Sequence, residues 1–123
     1  MRKTYTTTIT MSPTVNNLYA NVPGKGRRMT GHYKVWRQGV VTYMALTLKR
    51  IDGPVRIDYM FNLGSTFRGD LSNRIKAIED ALVEAGIIKG DTFSVVVAAA
   101  YEHRRVEDKE SSVTITLTPI VIE

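Results

Sequence analysis

The stretch FRGDLSNRIKAIEDALVEAGIIKGD, residues 67–91, decides how this chain is read. Leu71, Ile75, Ile78, Leu82 and Ala85 recur at intervals of three and four, which places them on one stripe of an α-helix. Asp70, Ser72 and Asn73 are candidate caps at its start, and Gly86 is a natural stop. The charges admit a second reading. Asp70 precedes the first turn, Lys76 lies within two turns, and Asp91 follows the stop. Hard cations such as Mg²⁺ take oxygen ligands and need only one or two carboxylates when phosphate and water complete the shell. Because the helix runs away from Asp70, only a chain that folds back can bring Asp91 near it, as a strand–helix–strand return within one sheet would. Lys76 could then reach a scissile phosphate and offset its developing negative charge. The structural alternative is simpler. Asp70 caps a helix and favours its positive end, Asp91 begins a turn, and Lys76 is solvated.

The flanks of this helix set the fold class. VRIDYMF, residues 55–61, alternates Val55, Ile57, Tyr59 and Phe61 with polar or flexible residues and predicts a half-buried strand. TFSVVVAAAY, residues 92–101, is a mostly apolar run that predicts a buried central strand. EHRRVEDKES reads as a charged hairpin connection, and VTITLTPIVI as the last strand, with Pro119 pointing to an edge or a bulge. TYTTTITM, residues 4–11, reads as a first strand with Tyr5, Thr7, Ile9 and Met11 on one face, ended by Pro13. Residues 12–31 carry enough Gly, Pro and Asn to predict a long loop. Residues 33–50 stay ambiguous: Trp36, Val40, Tyr43, Met44 and Leu48 fit a helical face, while VVTYMALTL has the β-branching of a strand. The sum is an α+β single domain over residues 1–123, with a mixed, mostly antiparallel sheet and one or two helices packed on it.

Composition narrows the function classes. The chain has no cysteine, so neither a disulfide framework nor a thiolate zinc site is available. The N-terminal residues lack the apolar core of a secretory signal, and no apolar run approaches a membrane span, so a soluble protein of the cytoplasm is expected. GKG at residues 24–26 has neither the spacing nor the flanks of a phosphate-binding loop. His32 and His103 have no ligand-spaced partners and are expected to be surface residues. No small-molecule substrate site is indicated. The net charge is +5, from 17 Lys and Arg against 12 Asp and Glu. Its placement matters more than its size. Residues 23–37 hold Lys25, Arg27, Arg28, Lys34 and Arg37 with Tyr33 and Trp36 and no acid. Cations with interleaved aromatics suit a segment that lies along phosphates and stacks on an exposed base, although a solvated surface loop has the same composition. Arg68 and Arg74 add cations around the helix start.

GDLSNRIKAIEDALVEAG followed by KGD resembles the core signature of the RusA family of Holliday junction resolvases, through Asp70, Asn73, Lys76, Asp80, Ala81, Leu82 and Asp91 in order and spacing. SPTVNNLYANVPGKGRR is similar to that family's proline and double-asparagine segment leading into a basic loop, through Pro13, Asn16, Asn17, Tyr19, Arg27 and Arg28. The resemblance implies a small α+β homodimer that binds four-way DNA junctions and nicks two opposing strands with Mg²⁺ or Mn²⁺. The family acts in DNA recombination and repair and is common in phages and prophages, which implies a nucleoid-associated, cytoplasmic site of action. It favours a helix over residues 33–48. Residue by residue, Asp70 and Asp91 would be metal ligands and Lys76 the catalytic lysine. Arg27, Arg28 and their neighbours would contact the junction.

Two positions depart from the pattern. Ser72 stands where the family has a second aspartate, and Gly90 where it has the first of a later acidic pair. A serine hydroxyl is a weaker ligand for a hard cation than a carboxylate. Glu79 and Asp80 lie about two turns, roughly 12 Å of rise, beyond Ser72 and are expected to be too distant to replace it. Three readings follow: a working endonuclease with an altered site, a branched-DNA-binding protein with weak or no catalysis, or a basic module that binds RNA or protein.

Overall fold

The computed structural model describes residues 3–12, 19–24, 26–69 and 71–120. In chain order the elements are β1 (Tyr5–Thr10), β2 (Tyr19–Val22), β3 (Gly26–Met29), α1 (Gly31–Thr47), β4 (Val55–Leu63), α2 (Ser72–Glu84), β5 (Val96–Arg105) and β6 (Ser112–Pro119). Four strands form one mixed sheet in the order β1-β6-β4-β5, and β2 and β3 form a separate antiparallel pair. β6 runs antiparallel to both β1 and β4, while β4 and β5 are parallel. Parallel neighbours need a crossover, and α2 supplies it.

Alternation decides which face is covered. Val55, Ile57, Tyr59 and Phe61 of β4 are buried with Val113, Ile115 and Leu117 of β6 and Ile9 of β1. Val40 and Met44 of α1 and Ile78, Ala81 and Leu82 of α2 join the same core. Both helices therefore lie on one side of the sheet, giving two layers. The other side carries Thr6 and Thr8 of β1 against Thr116 and Thr114 of β6, with hydroxyl contacts of 3.3 and 3.0 Å.

α1 is a helix along residues whose pattern left helix and strand open. Thr30 caps it, accepting from the Tyr33 amide at 3.3 Å, and the Leu48 amide closes its last turn on the Met44 carbonyl at 2.9 Å. The long loop predicted over residues 12–31 instead contains the β2–β3 hairpin, turned at Pro23 and Gly24, where φ is +75°. Gly tolerates that left-handed conformation at no steric cost. Pro13, Asn16 and Asn17 lie outside the described residues.

Two strand expectations need correction. β5 is an edge strand, not a central one, and most of it is exposed. Its run of small residues looks buried by hydropathy, yet alanines cover little apolar area. β6 is central rather than an edge. Pro119 is its last residue, so the missing amide falls where the ladder ends.

Candidate functional site

The β4–α2–β5 unit folds the chain back as the spacing required. β4 leads towards the helix, α2 follows, and residues 85–95 return the chain to β5. Gly86, at φ +76°, turns the chain after the helix. The Ile87 and Ile88 side chains are buried in the core, and the Ile87 carbonyl accepts from the Ile51 amide at 2.8 Å. Anchored in this way, the return places Asp91 against the middle of α2.

There Lys76 joins two carboxylates. Its Nζ donates to Asp91 Oδ2 at 2.5 Å and to Asp80 Oδ1 at 2.9 Å. The two hydrogen bonds, led by that to Asp91, push the Lys76 ammonium above its ordinary pKa. The same bond to Lys76 holds the Asp91 carboxyl below the usual carboxylate range. Lys76 is thus a fixed positive charge near neutral pH and is not suited to serve as a general base.

Beneath this pair lies Glu79. Burial, then the charge of Asp91, pushes its carboxyl above the ordinary value, although Lys76 pulls the other way. Facing it from β4, Tyr59 is 3% exposed, and its hydroxyl has no hydrogen-bond partner among the described residues. Burial, with a smaller contribution from Glu79, raises the phenol as well.

The sequence-predicted residues distribute as follows. Lys76 and Asp91 are brought together. Asp70 and Lys25 lie outside the described residues, as do the side chains of Ser72, Arg27 and Arg28. The backbone of Ser72 opens α2, and those of Arg27 and Arg28 belong to β3. Arg37 of α1 reaches the neighbourhood of Asp91: a surface depression is lined by Arg37, Asp80, Val83, Glu84, Gly90 and Asp91. Arg37 Nε pairs with Glu84 at 2.5 Å, and Nη1 donates to the Tyr33 hydroxyl at 3.1 Å. Lys34 is exposed beside it and shares a second depression with Arg37 and Glu84. Arg68 is exposed in the loop before α2. Arg74 is different: it is buried. His32 and His103 are both exposed, as expected.

Asp80, expected to lie too far from Ser72 to replace it, shares the Lys76 ammonium with Asp91 instead, because the return segment docks further along α2. Its i,i+4 spacing from Lys76 was the available signal. Nothing in the sequence flags the environment of Glu79.

The donors fit a divalent cation in part. Asp91 is an accessible carboxylate, and the Lys76 ammonium between Asp80 and Asp91 marks a place that accepts positive charge. Among the described residues, however, no three His, Asp or Glu side chains converge closely enough to hold a metal ion. No protein-family model matches the chain, and no curated protein matches it.

Proposed function

We propose that the chain is a structure-selective endonuclease of the RusA type, which binds four-way DNA junctions and nicks opposing strands. The observation that carries this reading is the Lys76–Asp91 contact, made across fifteen residues at the middle of α2. Of the two explanations open to the sequence, independent helix punctuation does not call for that convergence, whereas a shared phosphate site does.

In this reading Lys76 turns its ammonium from the carboxylates towards a scissile phosphate and stabilises the charge that develops there. Mg²⁺ or Mn²⁺, held by Asp70 and Asp91, would supply the further charge neutralisation. Lys25, Arg27, Arg28, Lys34, Arg37, Arg68 and Arg74 contact DNA phosphates, and they set affinity and orientation rather than sequence preference. Arg37 lies close to Asp91 and so would contact phosphates next to the scissile one.

A homodimer belongs to the same reading, since a junction presents two equivalent strands and a twofold protein addresses both. The far edge of β5 supports it. No described strand pairs there, and Val97 and Tyr101 are exposed beside it. No helix among the described residues is long and apolar enough to cross a membrane. The site of action in this reading is the nucleoid, in the cytoplasm.

A second reading keeps junction binding and drops most of the catalysis. It is favoured by Ser72, a neutral residue where the resemblance calls for an acid, and by the occupation of Asp91 by Lys76. Incubation of a strand-labelled synthetic four-way junction with the native chain and with Ser72→Asp, in Mg²⁺ or Mn²⁺, separates the two. Nicking by the native chain supports the enzyme. Nicking by Ser72→Asp alone leaves the native protein as a junction binder.

A further inference from the structure

We propose that Phe93 is a base-stacking residue, which receives an unpaired base of a bound nucleic acid beside the phosphate addressed by Lys76 and Asp91. At 89% exposure it is the most exposed large apolar side chain among the described residues. It lies in the segment that returns the chain from α2 to β5, two residues after Asp91. Its chain neighbours, Thr92 and Ser94, are polar, so the ring stands alone rather than within an apolar run.

The ring is displayed on an anchored turn. The amides of Val95 and Val96 both donate to the Thr92 carbonyl, at 3.0 and 2.9 Å, and close one helical turn. Thr92 Oγ1 and Ser94 Oγ lie 3.0 Å apart and brace its outer side. Val95 packs against the core, and its carbonyl accepts from the Val55 amide of β4 at 2.8 Å. The turn therefore holds Val95 inward and Phe93 outward. A phenylalanine left in water forfeits the burial energy of an aromatic side chain. On a turn tied in this way it has little freedom to fold back and recover it. A flat partner laid on the ring would remove that cost.

Position identifies the partner. Two residues of chain span at most about 7 Å, so Phe93 stands beside Asp91. Asp91 bonds to Lys76 and shares a depression with Arg37, and Lys89 is exposed two residues before it. No acid lies from Thr92 to Tyr101. Cations along a backbone path with an aromatic ring next to them are the parts of a stacking platform for unpaired nucleic acid, and every base offers the ring a face. Within a duplex the bases stack on one another, and freeing one is costly; an already unpaired base is the cheapest to take. Phe93 therefore reads branching rather than sequence, a role that rests on the function proposed above. The rival partner is a second copy of the chain, since Val97 and Tyr101 are exposed further along β5.

The test titrates the native chain, Phe93→Ala and Phe93→Tyr by fluorescence anisotropy with a four-way junction, linear duplex of the same arm sequences, and oligothymidine. Light scattering and circular dichroism are recorded for each protein. Phe93→Ala is expected to bind the junction and oligothymidine about 10-fold or more weakly, the scale for losing one aromatic–base stack. Duplex affinity stays unchanged, and Phe93→Tyr stays close to native. A loss on the junction alone also supports the stack. A native chain that binds junction no better than duplex, but whose oligothymidine affinity falls in Phe93→Ala, keeps the stack and removes the junction reading. Selective junction binding that Phe93→Ala retains, with oligothymidine binding also unchanged, overturns the stack and leaves the junction reading standing. Equal losses on all three ligands overturn it, as does a native chain that binds neither junction nor oligothymidine. A lower mass for Phe93→Ala assigns the ring to a contact between copies and overturns it too.

Discussion

Lys76 Nζ stands 2.5 Å from Asp91 Oδ2, a contact between the first half of α2 and the loop that follows it. It is an exposed ion pair, so its energetic value is small. Exposed pairs of this kind contribute about 0–1 kcal/mol. Its significance is positional: a cation and two carboxylates meet where the chain returns from helix to sheet.

Lys76→Met removes the ammonium while retaining much of the stem. Thermal melting is expected to show a loss of no more than about 1 kcal/mol. Nicking of a junction, measured in the native background or with Ser72→Asp, is expected to fall about 100-fold or more, the scale for losing one preorganised charge. Equal nicking rates with and without the ammonium would remove Lys76 from the chemistry.

Glu79 gives a pH signature of known sign. Burial first, and the charge of Asp91 next, raise its folded pKa above the ordinary value of 4.5. Between those values the folded state binds more protons than the unfolded one, so stability falls as pH rises through the window. Glu79→Gln is therefore expected to melt higher than the native chain at pH 7, with the gap closing below about pH 4. Asp91 has the opposite sign. Its contribution is present above the ordinary carboxylate value and is lost as pH falls through the lowered one, so Asp91→Asn loses stability most at neutral pH. Melting curves from pH 3 to 8, spanning these carboxylate values, check both.

Gly64 is a packing constraint at the end of β4. A Cβ there would lie 2.8 Å from the Lys109 carbonyl carbon and 3.0 Å from that of Glu110, both backbone atoms. Its amide also donates to the Ser111 hydroxyl at 2.8 Å, which holds the β5–β6 connection against it. Gly64→Ala is expected to cost about 1–3 kcal/mol in urea unfolding, because the turn must shift to admit a methyl group. An unchanged midpoint would show that the connection yields freely.

The edge of β5 predicts the oligomeric state. An open strand edge with exposed Val97, Ala99 and Tyr101 on one face is a template for a second strand. Light scattering is expected to give a dimer for the native chain and a monomer for Val97→Lys/Ala99→Lys, with circular dichroism unchanged. A native monomer at micromolar concentration would argue against pairing through β5.

Much of the fold could be read in advance, for reasons that differ by element. α2 and β4 announce themselves because one face of each is buried and the other is not, so their periodicities are clean. α1 does not. Val35, Tyr43 and Leu46 are exposed along it, which blurs the stripe formed by Tyr33, Val40 and Met44. β5 misled in the other direction, since Val96 to Ala100 are apolar enough to suggest burial but small enough to sit at an edge. The strands of the β2–β3 hairpin, at four residues each, are too short for alternation to show. At the site, Lys76 and Asp91 were legible as a pair given a strand–helix–strand return. The place of Asp80 beside Asp91 was not legible, because it depends on where the return segment docks on α2. The buried setting of Arg74 depends on Ser12, sixty-two residues away, and no local pattern carries that.

Recognition of branched DNA is common to the catalytic and the binding-only readings. Competition gel shifts at moderate salt, with a labelled four-way junction against unlabelled linear duplex of the same arm sequences, test it most directly. A junction complex that survives at least a tenfold excess of duplex, worth about 1.4 kcal/mol of preference, is the predicted result. Displacement of the junction by an equal amount of duplex would contradict it and leave a basic domain without junction selectivity.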